Sequence, residues 1–129
     1  MCIRDRWEYA ARCGMDTVFS GSDDASEVAW NEYNSDATTH PVATLLPNAC
    51  GLYDMSGNVW EWTGDWYSSS YYGSSTSIDP TGPSSGDSRS KRGGPWFNPP
   101  RDVRLGNRVP HFPVGIDGIF GFRIARTDL

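Results

Sequence analysis

Apolar and polar positions along this chain change in short bursts, and few bursts are long enough for a regular element. Trp7, Ala10 and Ala11 fall at i, i+3 and i+4, which predicts the last turns of a helix over Trp7–Arg12. Arg12 suits the negative end of that helix, and Gly14 is a left-handed stop. Phe19 to Asp24 reads as a turn, Ser26–Trp30 as one helical turn, and Asn31–Thr39 as polar and irregular. His40–Ala43 reads as a short extended piece leading to the Leu45, Leu46, Pro47 corner. A Gly57-Asn58 turn then precedes Val59–Thr63, whose period-two alternation predicts a strand. Ser68–Lys91 is rich in Ser, Gly, Asp and Pro and reads as a long surface loop. In Phe97–Phe120, the prolines at 99, 100, 110 and 113 exclude a regular helix or a central strand. Gly121–Ala125 reads as a closing strand.

Composition sharpens this into a loop-rich α+β domain held by aromatic clusters. The 129 residues include six Trp, six Tyr and five Phe, with 14 Gly and 9 Pro. A net charge of −5 gives no clustered basic face for phosphates, so a nucleic-acid partner is not expected. No apolar run reaches the roughly 18 residues of a membrane span. Met1–Arg6 is similar to a peptide translated from adapter DNA, so residues 1–6 are set aside as a non-native leader. Cys2, Cys13 and Cys50 show no metal-ligand spacing. Cys13 and Cys50 are expected as free, partly buried thiols, pairing only if the fold brings them together.

Several blocks occur together in a telling order. They are Trp7-Glu8-Tyr9-Ala10-Ala11-Arg12, Pro47-Asn48-Ala49, Gly51 through Trp62 with its Gly57-Asn58-Val59-Trp60-Glu61-Trp62 centre, Arg92-Gly93-Gly94-Pro95-Trp96, and Gly121-Phe122-Arg123-Ile124-Ala125. In these blocks residues 7–129 resemble the C-terminal part of a single domain of the formylglycine-generating-enzyme-like (sulfatase-modifying factor) family, which implies that the domain is truncated at its N-terminal side. The resemblance implies a variant of the C-type lectin fold. It also implies an activity, conversion of a sulfatase cysteine to formylglycine with copper held by two cysteines between the Gly-Gly and Gly-Phe-Arg motifs. Residues 97–120 contain no cysteine, so no copper is expected and catalysis is not. The alternative is a genuine oxidase of the family with an altered site.

The resemblance further implies a calcium site formed by the side chains of Asp54 and Glu61 and the carbonyls of Gly57 and Val59. Hard oxygen donors on a flexible loop suit Ca²⁺. Equally, both carboxylates could cap backbone N–H groups in a Gly-rich turn. A calcium-dependent sugar binder is a third reading, although the lectin tripeptides Glu-Pro-Asn and Gln-Pro-Asp are absent.

The last third is similar to one subgroup, the variable proteins of diversity-generating retroelements. Its frame reads Arg92-Gly93-Gly94-Pro95-Trp96, Arg101, Arg104, Asn107-Arg108, Pro113 and Gly121-Phe122-Arg123, with Pro95 in place of the usual Ser and Ile116 in place of a common Arg. Between the frame residues lie Phe97, Asn98, Pro99, Asp102, Val109, Pro110, His111, Phe112, Val114, Gly115, Asp117, Gly118 and Ile119. Randomised adenines in Asn codons leave codons ending in a pyrimidine, which cannot encode Lys, Glu, Gln, Met or Trp. None of those five occurs at these positions. They are the expected ligand-binding surface for a protein or glycan, and a cell-surface or secreted location follows if they are. The other reading makes their apolar members a satellite core. Trp60, Trp62, Trp66, Trp96 and Phe122 are expected in the core. Arg104, Arg108 and Arg123 are expected as loop anchors, on backbone carbonyls or on Asp65 or Glu61. His40 is expected as a surface turn residue.

Overall fold

The computed structural model describes residues 4–73, 82–114 and 117–125. Cys2, Gly115, Ile116 and the middle of the Ser-rich loop lie outside the described residues. The fold is α+β with little regular structure. Helix α1 (Arg4–Arg12) begins three residues ahead of Trp7, inside the hexapeptide set aside above. It buries Trp7 and Ala11, whereas Ala10 is only half-buried. It ends where Cys13 and Gly14 both turn left-handed (φ +47° and +76°).

The corner at 47–52 is pinned to that helix end by one side chain. Asn48 Nδ2 donates to the carbonyls of Ala10 (2.9 Å) and Ala11 (3.1 Å), and Asn48 Oδ1 accepts from the amides of Cys50 (3.0 Å) and Leu52 (3.1 Å). Cys13 and Cys50, expected as free thiols, are thereby brought to a Cα separation of 5.7 Å and form a disulfide. A sequence separation of 37 residues gave no hint of that pairing.

Asp24 caps the single-turn helix α2 (Ala25–Val28) through the Ser26 amide, and α2 runs straight into β1 (Ala29–Trp30). Strand β1 pairs in parallel with β2 (Ser56–Gly57). Gly57 is obligatory there: its φ is +78°, and a Cβ would stand 2.2 Å from the Trp30 carbonyl oxygen. His40–Ala43 is not extended. Ala43 is left-handed (φ +62°), and the His40 ring stacks on Trp30 with centroids 3.6 Å apart. His40 is therefore a packed turn residue.

The main sheet has the order β5-β4-β3-β6, built from β3 (Trp60–Trp66), β4 (Arg89–Arg92), β5 (Val109–His111) and β6 (Phe120–Phe122). Strand β6 runs parallel to β3, and the other neighbours are antiparallel. Pro110 is tolerated in β5 because that strand is an edge. Of the rings expected in the core, Trp60 is buried and Trp62, Trp66 and Trp96 are half-buried. Phe122 is 68% exposed, because it stands on the open face of the edge strand β6.

Two small apolar clusters hold these pieces together. One joins Phe19, Ala25, Val28, Ala29 and Val103; the other joins Trp7, Ala11, Met55 and Leu105, with Leu52 against it. Val103 and Leu105 both come from the irregular segment 97–119, so that stretch is bolted down at two points. Gly94 makes room for this: its φ is +79°, and a Cβ would lie 2.7 Å from Val103 Cγ1.

Asn48→Ala removes at least four hydrogen bonds at a buried corner. It is expected to lower the unfolding free energy by about 2–4 kcal/mol, leaving buried backbone groups unsatisfied. Urea denaturation of the oxidised protein checks this; the midpoint should fall with an unchanged slope.

Candidate functional site

Three features of the structure could carry function. The first is a buried polar hub. Trp7 Nε1 donates to Glu61 Oε2 at 2.7 Å, and Arg123 Nε lies 2.7 and 2.8 Å from the two carboxylate oxygens. Arg123 also donates to the Tyr53 carbonyl at 2.5 Å. Glu61 is 6% exposed. Burial pushes its carboxyl above the ordinary range, Arg123 and the Trp7 N–H pull it back, and the Asp54 charge pushes it up again. Directly across the β3–β4 ladder from Glu61, Arg92 is buried, meets Glu8 of α1 at 2.5 Å and donates to the Asn107 carbonyl at 2.7 Å. The expected role of Arg123 as an anchor on Glu61 is present in the geometry. Arg104 Nε donates to the Arg101 carbonyl at 2.6 Å in an exposed turn, and Arg108 is half-buried beside Asp5 and Glu8.

The second feature is a cleft of about 520 Å³ beside this hub, lined by Val42, Tyr53, Asp54, Glu61, Phe122 and Arg123 among others. Asp54 sits left-handed (φ +55°), and its Oδ2 accepts from the Ala43 amide at 2.8 Å. Asp54 thus makes the turn-capping bond that was one of its two expected roles. It also shares a cleft with Glu61, as a calcium pair must. As donors, two carboxylates and the Gly57 and Val59 carbonyls fit a hard cation in kind. The Arg123 guanidinium already lies against both Glu61 oxygens, so an ion there shares Glu61 with a resident positive charge.

The third feature is the surface carried by segment 97–119. Phe97 is 42% exposed, Phe112 63% and Val114 88%. Pro110, Asp117 and Gly118 are exposed as well, while Asn98, Pro99, Asp102, Val109, His111 and Ile119 are half-buried. None of these positions is buried, and Gly115 lies outside the described residues. The reading of the segment as a satellite core therefore applies to Val103 and Leu105, which had not been singled out. Their only sequence signal is two apolar residues flanking Arg104 with period two. Also missed was the junction of Trp7 with Glu61, 54 residues apart.

Comparison with known proteins agrees with this architecture. The pattern of the sulfatase-modifying factor enzyme 1-like domain matches residues 4–128. The chain is 33% identical to the formylglycine-generating enzyme of Streptomyces coelicolor over 137 residues, covering 92% of this chain and 44% of that enzyme. It is 36% identical to the serine/threonine-protein kinase pkn1 of Chlamydia pneumoniae, covering 94% of this chain and 20% of the kinase. Among solved structures it is similar to Treponema denticola variable protein 1, with a TM-score of 0.88 and 37% identity over 95% of this chain and 45% of that one. The structure of PvdO from Pseudomonas aeruginosa gives a TM-score of 0.81 at 31% identity, over 95% of this chain and 50% of that one. The chain spans less than half the length of the curated relatives cited here.

Arg123→Met leaves the buried Glu61 carboxylate without its cation and is expected to destabilise chelator-treated protein by about 3 kcal/mol near pH 7. Glu61 has a raised folded pKa, so its charged form opposes folding as the pH rises through that value, and the opposition vanishes below the unfolded value of 4.5. The Arg123→Met deficit should therefore shrink on acidification toward pH 4. It should also shrink in the Arg123→Met, Glu61→Gln double variant. Denaturant titrations of the four proteins of the cycle at two pH values measure both effects.

Proposed function

Because the chain belongs to the sulfatase-modifying factor enzyme 1-like family, we propose that it is a non-catalytic ligand-binding module of that family, displaying the 97–119 surface to a protein or glycan. One observation carries the reading. The segment is fixed by Val103 and Leu105, at 0% and 1% exposure, while Phe97, Phe112 and Val114 between the frame residues face outward. Side chains so placed can change without disturbing either apolar cluster. The similarity to a variable protein of Treponema denticola supports the same reading. The alternative, a formylglycine-generating oxidase with an altered site, has the Streptomyces coelicolor enzyme in its favour. Against it, residues 97–120 hold no cysteine, and Cys13 and Cys50 are joined to each other.

The coding DNA tests the leading reading. Positions such as Phe112, Val114 and Asp117 should use codons ending in C or T, and a near-copy with adenines should lie beside a reverse-transcriptase gene. Purine-ending codons at several of these positions would contradict it. So would formylglycine formed on a sulfatase-type cysteine peptide by the copper-treated full-length protein.

Calcium belongs to the same reading as a support for the frame. Asp54, Glu61 and the carbonyls of Gly57 and Val59 would hold the ion, which supplies charge to bind the 54–61 turn. With Arg123 sharing Glu61, affinity is expected in the range of about 10⁻⁴–10⁻³ M. Calcium added to chelator-treated protein should raise the melting temperature, and Asp54→Ala should abolish the rise. No rise at about 10 mM calcium, well above that range, would remove the ion from the account.

A further inference from the structure

The main sheet turns Glu61 and Arg92 toward α1 and its rings away from it. On the outer face Trp62 stacks on Phe120 (centroids 5.1 Å), and His111 meets both edge-on at 5.7 and 5.0 Å. Phe122 stands on that face 68% exposed. Two cations share the face. Lys91 is 8% exposed, with Nζ 4.3 Å from the Trp60 ring centre and 5.2 Å from that of Phe120. Arg89, two residues earlier on the same strand, lays its guanidinium 3.9 Å over Trp66 and donates to the Gly64 carbonyl. Neither cation has a carboxylate within ion-pair distance among the described residues. Burial alone holds the Lys91 amine below its ordinary value. Next to them, Trp62, Thr63, Arg89, Pro113 and Phe122 line a cleft of about 260 Å³.

Positive charge with no carboxylate partner among the described residues is unusual in a chain of net charge −5. Residues two apart on a strand project to one face at about 6.6–6.8 Å, the spacing of alternate side chains in any extended peptide. The cleft offers rings and a proline, and the hydroxyl of the fully buried Thr63 is already given to the Ser90 carbonyl, so it suits an apolar side chain better than the many hydroxyls of a sugar.

We propose that this sheet face is a docking site for an acidic peptide segment, with Arg89 and Lys91 meeting carboxylates two residues apart and the Trp62–Phe122 cleft taking an apolar side chain a further two residues along, on the same side of the extended peptide. The inference rests on the ligand-display reading and extends it: the charge that selects the partner comes from frame strands, outside the 97–119 segment, while that segment supplies Pro113 to the cleft and His111 against the Trp62 ring.

The test is fluorescence anisotropy on the full chain with a labelled peptide of the pattern Glu-Ser-Glu-Ser-Phe, a matching Lys-Ser-Lys-Ser-Phe peptide, and polygalacturonate as an acidic glycan competitor. The Glu peptide should bind, the Lys peptide should not, and added salt should weaken binding. Lys91→Met and Arg89→Gln should each weaken it by about fivefold or more, with melting temperatures checked in parallel. Equal binding of the two peptides by the wild-type chain overturns the proposal whatever the variants do. So does an absence of Glu-peptide binding, or complete displacement of that peptide by polygalacturonate at an equal concentration of carboxylates. If a Phe112→Ser, Val114→Ser variant loses binding while Lys91→Met and Arg89→Gln keep it, this inference fails and the display reading survives. If both loop and strand variants bind as the wild type does, both readings fail.

Discussion

The junction of Trp7, Glu61 and Arg123 is the constraint on which the rest of the molecule depends. It ties α1, the central strand β3 and the turn after β6 to one carboxylate, across sequence separations of 54 and 62 residues. A carboxylate at 6% exposure is tolerable only because two donors converge on it. Its ladder partner Arg92 repeats the device with Glu8. The inner face of the sheet is thus a polar, directional joint, and the apolar clusters sit beside it. Folding this way fixes register more tightly than a greasy face would, since a one-residue slip of β3 would bring Trp60 or Trp62 under α1 in place of Glu61.

That joint has a consequence for the opposite face. With Glu61 and Arg92 inward, alternation along the strands puts Trp62, Lys91, His111 and Phe122 outward. The irregular segment then needs only Val103 and Leu105 to stay in place, one in each apolar cluster. Every other described side chain from Phe97 to Ile119 is at least partly open to solvent. A small rigid frame and a free surface are two results of one arrangement.

Much of this could be read in the sequence, and the failures have physical causes. The helix end at Arg12, the alternating strand after Asn58 and the closing strand near Phe122 carry local signals, namely periodicity, glycine stops and turn chemistry. The family blocks pointed to the fold for the same reason, since Gly57 and Gly94 mark places where no Cβ fits. The Cys13–Cys50 bridge was not legible because Asn48, a single polar residue in a corner, sets the approach of the two chain segments. Phe122 was misplaced in the core because its strand looks like β3 in sequence yet lies at an edge. His40 gave no sign of its stack on Trp30, a contact made through Asn58, whose side chain bonds both the amide and the carbonyl of His40.

The central claim is that the frame holds independently of what the outward surface carries. Native-state amide hydrogen exchange of a variant with Phe112, Val114 and Asp117 all replaced by Ser tests it most directly. The amides of Glu61, Trp62 and Lys91 should keep their wild-type protection. A loss of protection by about tenfold or more at those strand amides would show that the surface is part of the frame, and the account would be wrong.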